Sequence, residues 1–575
     1  MRFKGVAGSP GVGIGFAALF EEPNLDWKDA EYLGIEGEKN RLNEAIATFK
    51  EDVTKLANQA LEKHGKGHSD ILKRQISLVR DPFFLQQIND LIDGGKVAEA
   101  AVNDAAEACA EIYRSTGDER IMERITDIMD ARTRLLTLLL KVETLDPESL
   151  PPQTVLVGKD IPASTIAVLN LANIAALVPE SGGFTSHGAI MARAFGIPLV
   201  TGLKGVFDSV KNGDRVIVDG NDGEVVTAPD EETLATYMAK RQSYLEDQKS
   251  LNKFINLKTL DADGQAHLLF ANIGGINEAK VAKANGAEGV GLFRTEFLFL
   301  DRATLPSEEE QFRIYSEVAG IFAPNEVVVR TLDVGGDKNV PALKLPKEDN
   351  PFLGYRAIRY CLNEPEVFMT QLRAILRAGA KDKNLSIMLP FVTSVDEVSA
   401  ARKILETCKD ELKAKGQAYD EGVKLGIMVE TPAAVFMAEE LTQVTDFFSI
   451  GTNDLAQYTL AADRGNAKLA KLCSPFHPAV LKGLKKVIEA GKKAKKLVGL
   501  CGESGANPQM IPILLALGLD EFSVSPSSVL RVRREIARWD MERAKALTRD
   551  VLSLTTTEAI TDYLKEALKT APRTA

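Results

Sequence analysis

The segment "KLGIMVETPAAVFMAEELTQVTDFFSIGTND", residues 424–454, contains two short apolar runs separated by a stretch with a helical pattern. The runs are short enough for buried strands, and the residues between them are numerous enough for a helix. A strand, a helix and a second strand in this order are typical of parallel strands joined by a crossover. Polar residues follow each run, namely Glu430 after the first and Asn453 and Asp454 after the second. The segment therefore predicts a βαβ unit with polar side chains at the carboxyl ends of its strands.

The same alternation continues on both sides of this segment. Eight apolar runs alternate with helical segments: "HLLFANIG", "EGVGLFR", "VVVRTLD", "LSIMLPF", "KLGIMVE", "DFFSIG", "LVGLCGE" and "DEFSVSP". Eight such units predict a (β/α)₈ barrel over residues 261–575, and a doubly wound open sheet is the rival. In a barrel of this kind, the active site lies at the carboxyl ends of the strands.

The part of the chain before the barrel changes pattern several times. Glycine-punctuated apolar runs occupy residues 1–25 and 146–228, whereas residues 26–145 carry apolar side chains three and four positions apart. We predict one α/β domain made by the two outer segments, with a helical bundle of residues 26–145 inserted into it. The charged residues 229–260 are predicted to form a helical linker. The predicted fold class is therefore multidomain α/β.

Composition and charge exclude several classes of function. Of the 575 residues, 45% are hydrophobic and 26% are charged, as in ordinary globular proteins. The net charge of −11 argues against sequence-independent binding to nucleic acid or to an anionic membrane surface. No apolar run has the length of a membrane span, and the first residues lack a signal peptide, so we expect a cytoplasmic protein. The five cysteines show no C-x-x-C spacing, which indicates neither a disulfide framework nor a zinc site.

Cationic side chains follow several of the predicted barrel strands: Arg294, Arg330, Lys338, Arg356 and Arg464. One such arginine would most simply form a surface ion pair. Several on one rim indicate a small, multiply anionic substrate, because guanidinium groups bind carboxylate and phosphate oxygens in pairs. Glu430 and Asp454 lie among these cations and offer oxygen ligands for Mg²⁺, with a structural ion pair as the alternative.

A set of motifs gives the chain a resemblance to the enzyme I family of the bacterial phosphoenolpyruvate-dependent sugar phosphotransferase system. The motifs are, in order, "GGFTSHGAIMAR", "GLFRTEFLF", "VVRTLDVGGDK", "NPFLGYRAIR", "GIMVETPAA", "SIGTNDLAQY", "AADRGN" and "LCGESGANP". Their order and spacing extend the resemblance almost from end to end. It implies Mg²⁺-dependent autophosphorylation of His187 by phosphoenolpyruvate, release of pyruvate, and transfer to a histidine of the phosphocarrier protein HPr. It also implies that HPr docks on the helical bundle and that a homodimer forms through the barrel.

The resemblance also implies roles for single residues. Arg294, Arg330 and Arg464 match phosphoenolpyruvate-binding arginines, and Asn453, with the backbone beside it, completes the pocket. Glu430 and Asp454 match the magnesium ligands, and Asp454 also borders the substrate. Lys338 and Arg356 match further cations facing the phosphate, and Cys501 matches the proton donor. The chain departs from the family pattern at Phe184, where an arginine is usual, and in the segment "DIPASTIA", residues 160–167.

His187 opens the helical part of "SGGFTSHGAIMAR", residues 181–193. A lone histidine in a loop is usually structural or simply exposed. In the context of the resemblance, a neutral imidazole is a suitable nucleophile for phosphoryl transfer, and the amides of the helix start can bind phosphoryl oxygens. Because His187 and the arginine cluster belong to different predicted domains, we expect the α/β domain to swivel between the barrel and the bundle.

Three rival functions differ from this interpretation. Pyruvate phosphate dikinases and phosphoenolpyruvate synthases share the histidine motif and the barrel but need an ATP-binding domain, and the first 150 residues contain no G-x-x-x-x-G-K-[ST] loop. A non-catalytic phosphoenolpyruvate sensor is disfavoured by the intact His187 and Cys501. The nitrogen-regulatory relative is disfavoured as well, because that form carries an extra N-terminal sensor domain and Met1 here begins almost on the histidine domain.

Overall fold

The computed structural model describes residues 1–569 except for 22–24, 29, 65–75, 77, 116–120, 143–148, 163–164, 167–168, 184–186, 301–303, 336–339, 344, 347, 465, 467–468 and 470–471. The chain divides into two compact units, Met1–Gln248 and Lys249–Ala575. Of the helices that the structure describes, none is both long enough and apolar enough to cross a membrane.

The first unit is built on a mixed sheet of eight described strands. They are β1 Arg2–Lys4, β2 Val6–Ser9, β3 Val12–Phe20, β4 Thr154–Gly158, β5 Ile174–Pro179, β6 Leu199–Thr201, β7 Arg215–Asp219 and β8 Glu224–Thr227. Their order is β1-β8-β7-β3-β4-β5-β6-β2, and the central strands β3 to β6 pair in parallel. Strand β4 is buried along its whole length, which explains why its sequence, "TVLVG", is continuously apolar rather than alternating.

A group of helices is inserted in the chain between β3 and β4. Those that the structure describes are α1 Gly34–His64, α2 Pro82–Asp93, α3 Ala98–Ser115 and α4 Ile121–Leu140. Their apolar faces bury Phe49, Ile88, Val102 and Leu135 in a common core. Glu38 is also buried, and its carboxylate accepts hydrogen bonds from the backbone amide of Ala98 at 2.8 Å and from Arg41 at 2.9 Å.

Helix α5, His187–Phe195, follows β5 and packs its buried face into the first unit. Its residues Ala189, Met191 and Ala192 share a core with Leu177 and Leu199 of the sheet. The first residue of this helix is thus fixed relative to the central strands by apolar contacts on one helical face. Helix α6, Glu231–Asn252, then runs across the division between the two units.

The second unit contains a closed barrel of eight described strands, which confirms the predicted fold class and shows that the open-sheet rival is wrong. The strands are β9 Leu268–Ile273, β10 Val290–Arg294, β11 Val327–Arg330, β12 Leu385–Leu389, β13 Lys424–Val429, β14 Phe447–Ile450, β15 Leu497–Leu500 and β16 Glu521–Val524. They follow one another around the barrel, and β16 pairs with β9 to close it. Each of these pairings is parallel.

Helices surround this barrel. The described ones are α7 Ile276–Ala284, α8 Glu308–Phe322, α9 Ile358–Asn363, α10 Pro365–Asp382, α11 Val395–Ala414, α12 Pro432–Phe436, α13 Ala438–Leu441, α14 Thr452–Leu460, α15 Pro478–Lys493, α16 Ile511–Leu517, α17 Val529–Ile536, α18 Met541–Ser553 and α19 Thr557–Lys569. Helices α8 and α11 begin with capping boxes, Ser307 with Glu310 and Ser394 with Glu397, which satisfy amides of their first turns.

Alternate residues of each barrel strand face the helices and the barrel interior. Outward residues such as Leu425, Ile427 and Val429 belong to the large core shared with the helices. A separate interior cluster contains Leu292, Val328, Met388, Met428, Phe447 and Cys501. The barrel is therefore a packed core, with the buried polar residues Arg330 and Glu430 at the carboxyl ends of their strands.

Candidate active site

Two arginines at the carboxyl end of the barrel share one carboxylate. Arg330, the last residue of β11, lies 3.0 Å from Oδ2 of Asp333 through Nη1, and Arg356 donates from Nη2 to Oδ1 of Asp333 at 2.8 Å. Arg330 also donates to Glu296 at 2.6 Å, and Arg356 donates to the hydroxyl of Tyr458 at 3.0 Å. Asp333 therefore holds both guanidinium groups in fixed orientations.

The charge state of these two arginines is set by their carboxylate neighbours. Burial alone would lower the pKa of each guanidinium, but Glu296 and Asp333 raise that of Arg330, and Asp333 raises that of Arg356. Both side chains are nearly fully buried, yet the Nε–H of each has no hydrogen-bond partner among the described residues. Buried donors are normally satisfied, so two free N–H groups on neighbouring cations indicate a place for an anionic ligand.

Glu430 and Asp454 place two carboxylates beside this arginine pair. Glu430 follows β13 and accepts a hydrogen bond from the backbone amide of Phe391 at 2.7 Å. Asp454 lies in the first turn of α14, and its Oδ1 is 4.0 Å from Nη1 of Arg356, beyond hydrogen-bonding distance. Burial raises the pKa of Glu430, and the negative charges of Asp454 and Asp333 add to the rise. Glu430 and Asp454 therefore lie close enough for the charge of one to affect the other.

The free oxygens of these carboxylates fit a divalent cation. Oε2 of Glu430 and Oδ1 of Asp454 are buried and lack hydrogen-bond partners within the described part of the chain. No group of three or more His, Cys, Asp or Glu residues among those described is placed to bind a metal. Two carboxylates are nevertheless sufficient for Mg²⁺, which usually takes one or two from the protein and the rest from substrate oxygens and water.

Three further predicted site residues surround the same rim. Nη1 of Arg464 is 3.4 Å from Oδ2 of Asp454, and the backbone amide of Arg464 donates a hydrogen bond to Oε1 of Gln457 at 3.0 Å. Arg294 ends β10, and Asn453 lies in the first turn of α14. Within the described residues, neither Arg294 nor Asn453 forms a side-chain hydrogen bond or ion pair.

Cys501 directly follows β15 and lies inside the barrel, where only 3% of the residue is exposed. Its backbone amide donates to Ile450 at 3.1 Å, and its carbonyl accepts from the side chain of Asn272 at 2.9 Å. Burial raises the pKa of the Cys501 thiol to about 11. The thiol is therefore protonated at neutral pH and held at a defined depth in the barrel.

The predicted site residues are divided between the two units of the chain. His187 is the first residue of α5 in the first unit, whereas the arginines, carboxylates and Cys501 belong to the second. The described residues do not include Lys338, Phe184, the side chain of His187 or parts of "DIPASTIA". The roles assigned to His187 and Lys338 stay predictions.

Three members of the charge network were missing from the sequence prediction: Glu296, Asp333 and Tyr458. Each occurs in a motif that the prediction already used, in "GLFRTEFLF", "VVRTLDVGGDK" and "SIGTNDLAQY" respectively. Glu296 and Asp333 also lie shortly beyond the ends of β10 and β11, which was the signal available, whereas Tyr458 lies within α14. The motifs contain both cations and carboxylates, but the sequence does not show which of them pair.

Comparison with known families covers most of the chain. Residues 248–541 match the family described as "PEP-utilising enzyme, PEP-binding domain". Residues 4–124 match the "PEP-utilising enzyme, N-terminal" family, and residues 150–223 match the "PEP-utilising enzyme, mobile domain" family. The PEP-binding match contains the whole candidate site of the second unit.

Curated relatives match the chain over nearly its full length. The phosphoenolpyruvate-protein phosphotransferase of Bacillus subtilis is 41% identical over 569 residues, covering 99% of this chain and 100% of the relative. The phosphoenolpyruvate-protein phosphotransferase of Geobacillus stearothermophilus is 43% identical over 568 residues, which cover 99% of this chain and 98% of the relative. A solution structure of Enzyme I is 34% identical, covers 42% of this chain and 99% of its own, and has a TM-score of 0.38.

Proposed function

The chain belongs to the phosphoenolpyruvate-protein phosphotransferases, and on that premise we propose a path for the phosphoryl group through the residues described above. The observation that carries the proposal is the pair of buried arginines with free Nε–H groups, next to two carboxylates with free oxygens. Donors for an anion and ligands for a cation lie together at the end of the barrel where substrates bind in this fold.

Phosphoenolpyruvate has a phosphate and a carboxylate that require several cationic partners. We assign its binding to Arg294, Arg330 and Arg464, with Asn453 completing the pocket and Arg356 and Lys338 facing the phosphate. Asp333 supports this assignment because it fixes two of the guanidinium groups before the substrate arrives. Such preorganised donors stabilise charge without reorganising during the reaction.

Glu430 and Asp454 would hold Mg²⁺ through their free oxygens. When bound, the ion would neutralise negative charge on the transferring phosphoryl group. The residues of the chain contribute the rest: Arg464 borders Asp454, and the amide of Phe391 fixes one oxygen of Glu430 so that the other faces the site.

The phosphoryl group would pass to a ring nitrogen of His187. A bond forms between that nitrogen and phosphorus while the bond from phosphorus to the enol oxygen breaks, which leaves the enolate of pyruvate in the barrel. The thiol of Cys501 would then donate its proton to the methylene carbon, giving pyruvate and a thiolate. His187 belongs to the first unit and the substrate-binding residues to the second, so the transfer would involve residues of both units.

The second half of the reaction would transfer the phosphoryl group from His187 to a histidine of HPr. We assign HPr docking to the inserted helices α1 to α4, and a homodimer contact to the barrel unit. The names of the relatives, which specify a protein as phosphoryl acceptor, support a protein partner here. The same proposal includes a cytoplasmic location and the first step of sugar uptake.

The experiment is incubation of the protein with labelled phosphoenolpyruvate, Mg²⁺ and HPr, in the absence of ATP. The proposal expects pyruvate release and label on HPr that depends on all three components. A requirement for ATP would favour the dikinase or synthase rivals instead. Binding of phosphoenolpyruvate without any phosphorylation would indicate a sensor.

A further inference from the structure

Phe391 lies just beyond the end of β12 and has an unusual backbone conformation. Its φ is 60°, in the left-handed region that bulky residues rarely adopt. Such a conformation persists only where the surrounding structure holds it, and it occurs mainly at functional sites. The proposed function uses the backbone amide of this residue, but it leaves the conformation and the buried ring unexplained.

The backbone of Phe391 is joined to the segment that carries Glu430. The amide of Phe391 donates to Oε1 of Glu430 at 2.7 Å, and this is the only hydrogen bond of that carboxylate among the described residues. The carbonyl of the next residue, Val392, accepts from the hydroxyl of Thr431 at 2.8 Å. The direction of the Phe391 amide therefore orients the Glu430 carboxylate, and with it the free Oε2.

The ring of Phe391 lies among three side chains from two other segments. The central guanidinium carbon of Arg356 is 4.8 Å from the ring centroid, and that of Arg359 is 4.7 Å from it. The ring of Tyr458 is tilted by 58°, with its centroid 5.5 Å away. Guanidinium groups over an aromatic face are attracted to it. The ring thus supports Arg356, one of the two buried arginines of the site.

Hydrogen bonds fix the side chains that surround this ring. The hydroxyl of Tyr458 accepts from Nη1 of Arg356 at 3.0 Å and donates to the carbonyl of Phe352 at 2.7 Å. Arg359 donates from Nη1 to the carbonyl of Leu353 at 2.9 Å. The ring is therefore packed against groups that are themselves held in place.

The φ angle of Phe391 relates its two sets of contacts. Rotation about the N–Cα bond sets the angle between the N–H that Glu430 accepts and the β-carbon that carries the ring. At 60° the amide reaches Glu430 while the ring reaches Arg356. A residue with a β-carbon that lost the ring contacts would favour a negative φ, because the β-carbon crowds the backbone in the left-handed region.

We propose that Phe391 is a positioning residue that couples the carboxylate of Glu430 to the guanidinium group of Arg356. This inference rests on the proposed function, which assigns Mg²⁺ to Glu430 and the phosphate to Arg356. The ring contacts hold the left-handed backbone, and that backbone aims the amide at Glu430. The same ring contacts keep the Arg356 guanidinium group in place. One residue thereby positions a ligand of the metal and a ligand of the phosphate.

The test compares substitutions that separate the ring from the backbone. Phe391→Gly removes the ring, but glycine adopts a positive φ without strain. Phe391→Ala removes the ring and retains the β-carbon that disfavours this conformation. Phe391→Leu keeps most of the buried volume in case the alanine variant does not fold. Phe312→Ala is the matched control, because the Phe312 ring lies 4.4 Å from the guanidinium carbon of Arg377 on the outer helices α8 and α10.

The measurements are equilibrium binding constants of the full-length chain. All variants are made in a His187→Ala parent, in which the proposed nucleophile is absent and no turnover disturbs the titration. Calorimetry first gives the dissociation constant of phosphoenolpyruvate without a metal ion. It then gives that of Mg²⁺ at saturating phosphoenolpyruvate, and thermal unfolding shows that each variant is folded.

We expect all three Phe391 variants to bind phosphoenolpyruvate about fivefold more weakly than the parent, because Arg356 loses its aromatic support. Mg²⁺ binding should distinguish them. It should stay within about twofold of the parent in Phe391→Gly, whose backbone can keep its direction. In Phe391→Ala and Phe391→Leu it should weaken by about tenfold, because the relaxed amide no longer holds Glu430. Phe312→Ala should change neither constant.

Two results would overturn the coupling. Equal Mg²⁺ affinities in Phe391→Gly and in the alanine and leucine variants would show that the left-handed backbone does not orient Glu430. Unchanged affinity for phosphoenolpyruvate in Phe391→Gly would show that the ring does not support Arg356. Failure of the proposed function looks different, since the His187→Ala parent itself would then bind no phosphoenolpyruvate, and the coupling would fall with it.

Discussion

Arg330 and Arg356 are joined through the two oxygens of Asp333, at 3.0 Å and 2.8 Å respectively. Arg330 ends β11, Asp333 lies just beyond it and Arg356 comes later in the chain, so the carboxylate ties the strand end to the loop that follows it. Among the described residues, the Nε–H of each guanidinium group has no hydrogen-bond partner. The substrate pocket is thus built on a carboxylate that need not touch the substrate.

Asp333→Asn tests this arrangement. The substitution removes the charge that balances two buried cations, so we expect phosphoenolpyruvate affinity to fall by about tenfold or more and unfolding free energy by about 3 kcal/mol. Calorimetric titration and thermal unfolding measure the two effects. Glu309→Gln is the control, because Glu309 is 71% exposed in its pair with Arg377 and should change neither quantity. Unchanged affinity in Asp333→Asn would remove Asp333 from the pocket.

Asp454→Ala and Glu430→Gln test the metal assignment. Each removes an oxygen ligand that helps to position the phosphoryl group, so we expect turnover to fall by far more than about tenfold. The Mg²⁺ concentration for half-maximal phosphorylation should also rise. Glu439→Gln, an exposed carboxylate paired with Lys493, serves as the control. Unchanged magnesium dependence in both site variants would reduce the carboxylates to ion-pair partners of the arginines.

Much of the barrel could be predicted from the sequence, because its strands are short, apolar and separated by helices in a regular order. The polar residues at and after the strand ends predicted Arg330, Glu430, Asp454 and Cys501 as site residues, because the carboxyl ends of parallel strands meet at one rim of a barrel. Arg330, Glu430 and Cys501 do lie at or directly beyond strand ends, and Asp454 lies in the first turn of the helix that follows β14.

The partners of these residues could not be predicted in the same way. Asp333 joins Arg330 and Arg356 only because the loop after β11 folds back, and no periodicity in the sequence encodes that return. Glu521 was hidden by its strand, "DEFSVSP", where a carboxyl group facing inward looks like a surface residue until the glycines opposite it are known. The partners of Asp333 and the surroundings of Glu521 both depend on contacts between residues that are distant in sequence, and only the folded structure shows such contacts.

Cys501→Ser tests the assignment of the proton donor. The thiol has a pKa of about 11, so it keeps its proton below that pH and can donate it to an enolate. We expect the variant to phosphorylate His187 slowly and to lose most exchange of the pyruvate methyl protons with solvent. Cys408→Ser, at a buried cysteine of helix α11, is the control. A native exchange rate in Cys501→Ser would leave Cys501 as a packing residue.

The division into two units predicts separable activities. Residues 249–575, expressed alone, should bind phosphoenolpyruvate but accept no phosphoryl group, because the nucleophile is absent. Residues 1–248 should exchange phosphoryl groups with phosphorylated HPr and should not react with phosphoenolpyruvate. Titration and labelling measure the two properties. Direct labelling of the first unit by phosphoenolpyruvate would contradict the assignment of the substrate to the barrel.

In the proposed function, His187 carries the phosphoryl group between phosphoenolpyruvate and the protein acceptor. The most direct measurement is mass-spectrometric mapping of the phosphorylated residue after incubation with phosphoenolpyruvate and Mg²⁺. The chain has five histidines, and His477→Asn is a suitable control because asparagine can keep the cap at the start of α15. We expect one phosphoryl group, on His187, and none in His187→Ala, although that variant should still bind phosphoenolpyruvate. Phosphorylation retained in His187→Ala, or mapped to another residue of the native protein, would contradict it.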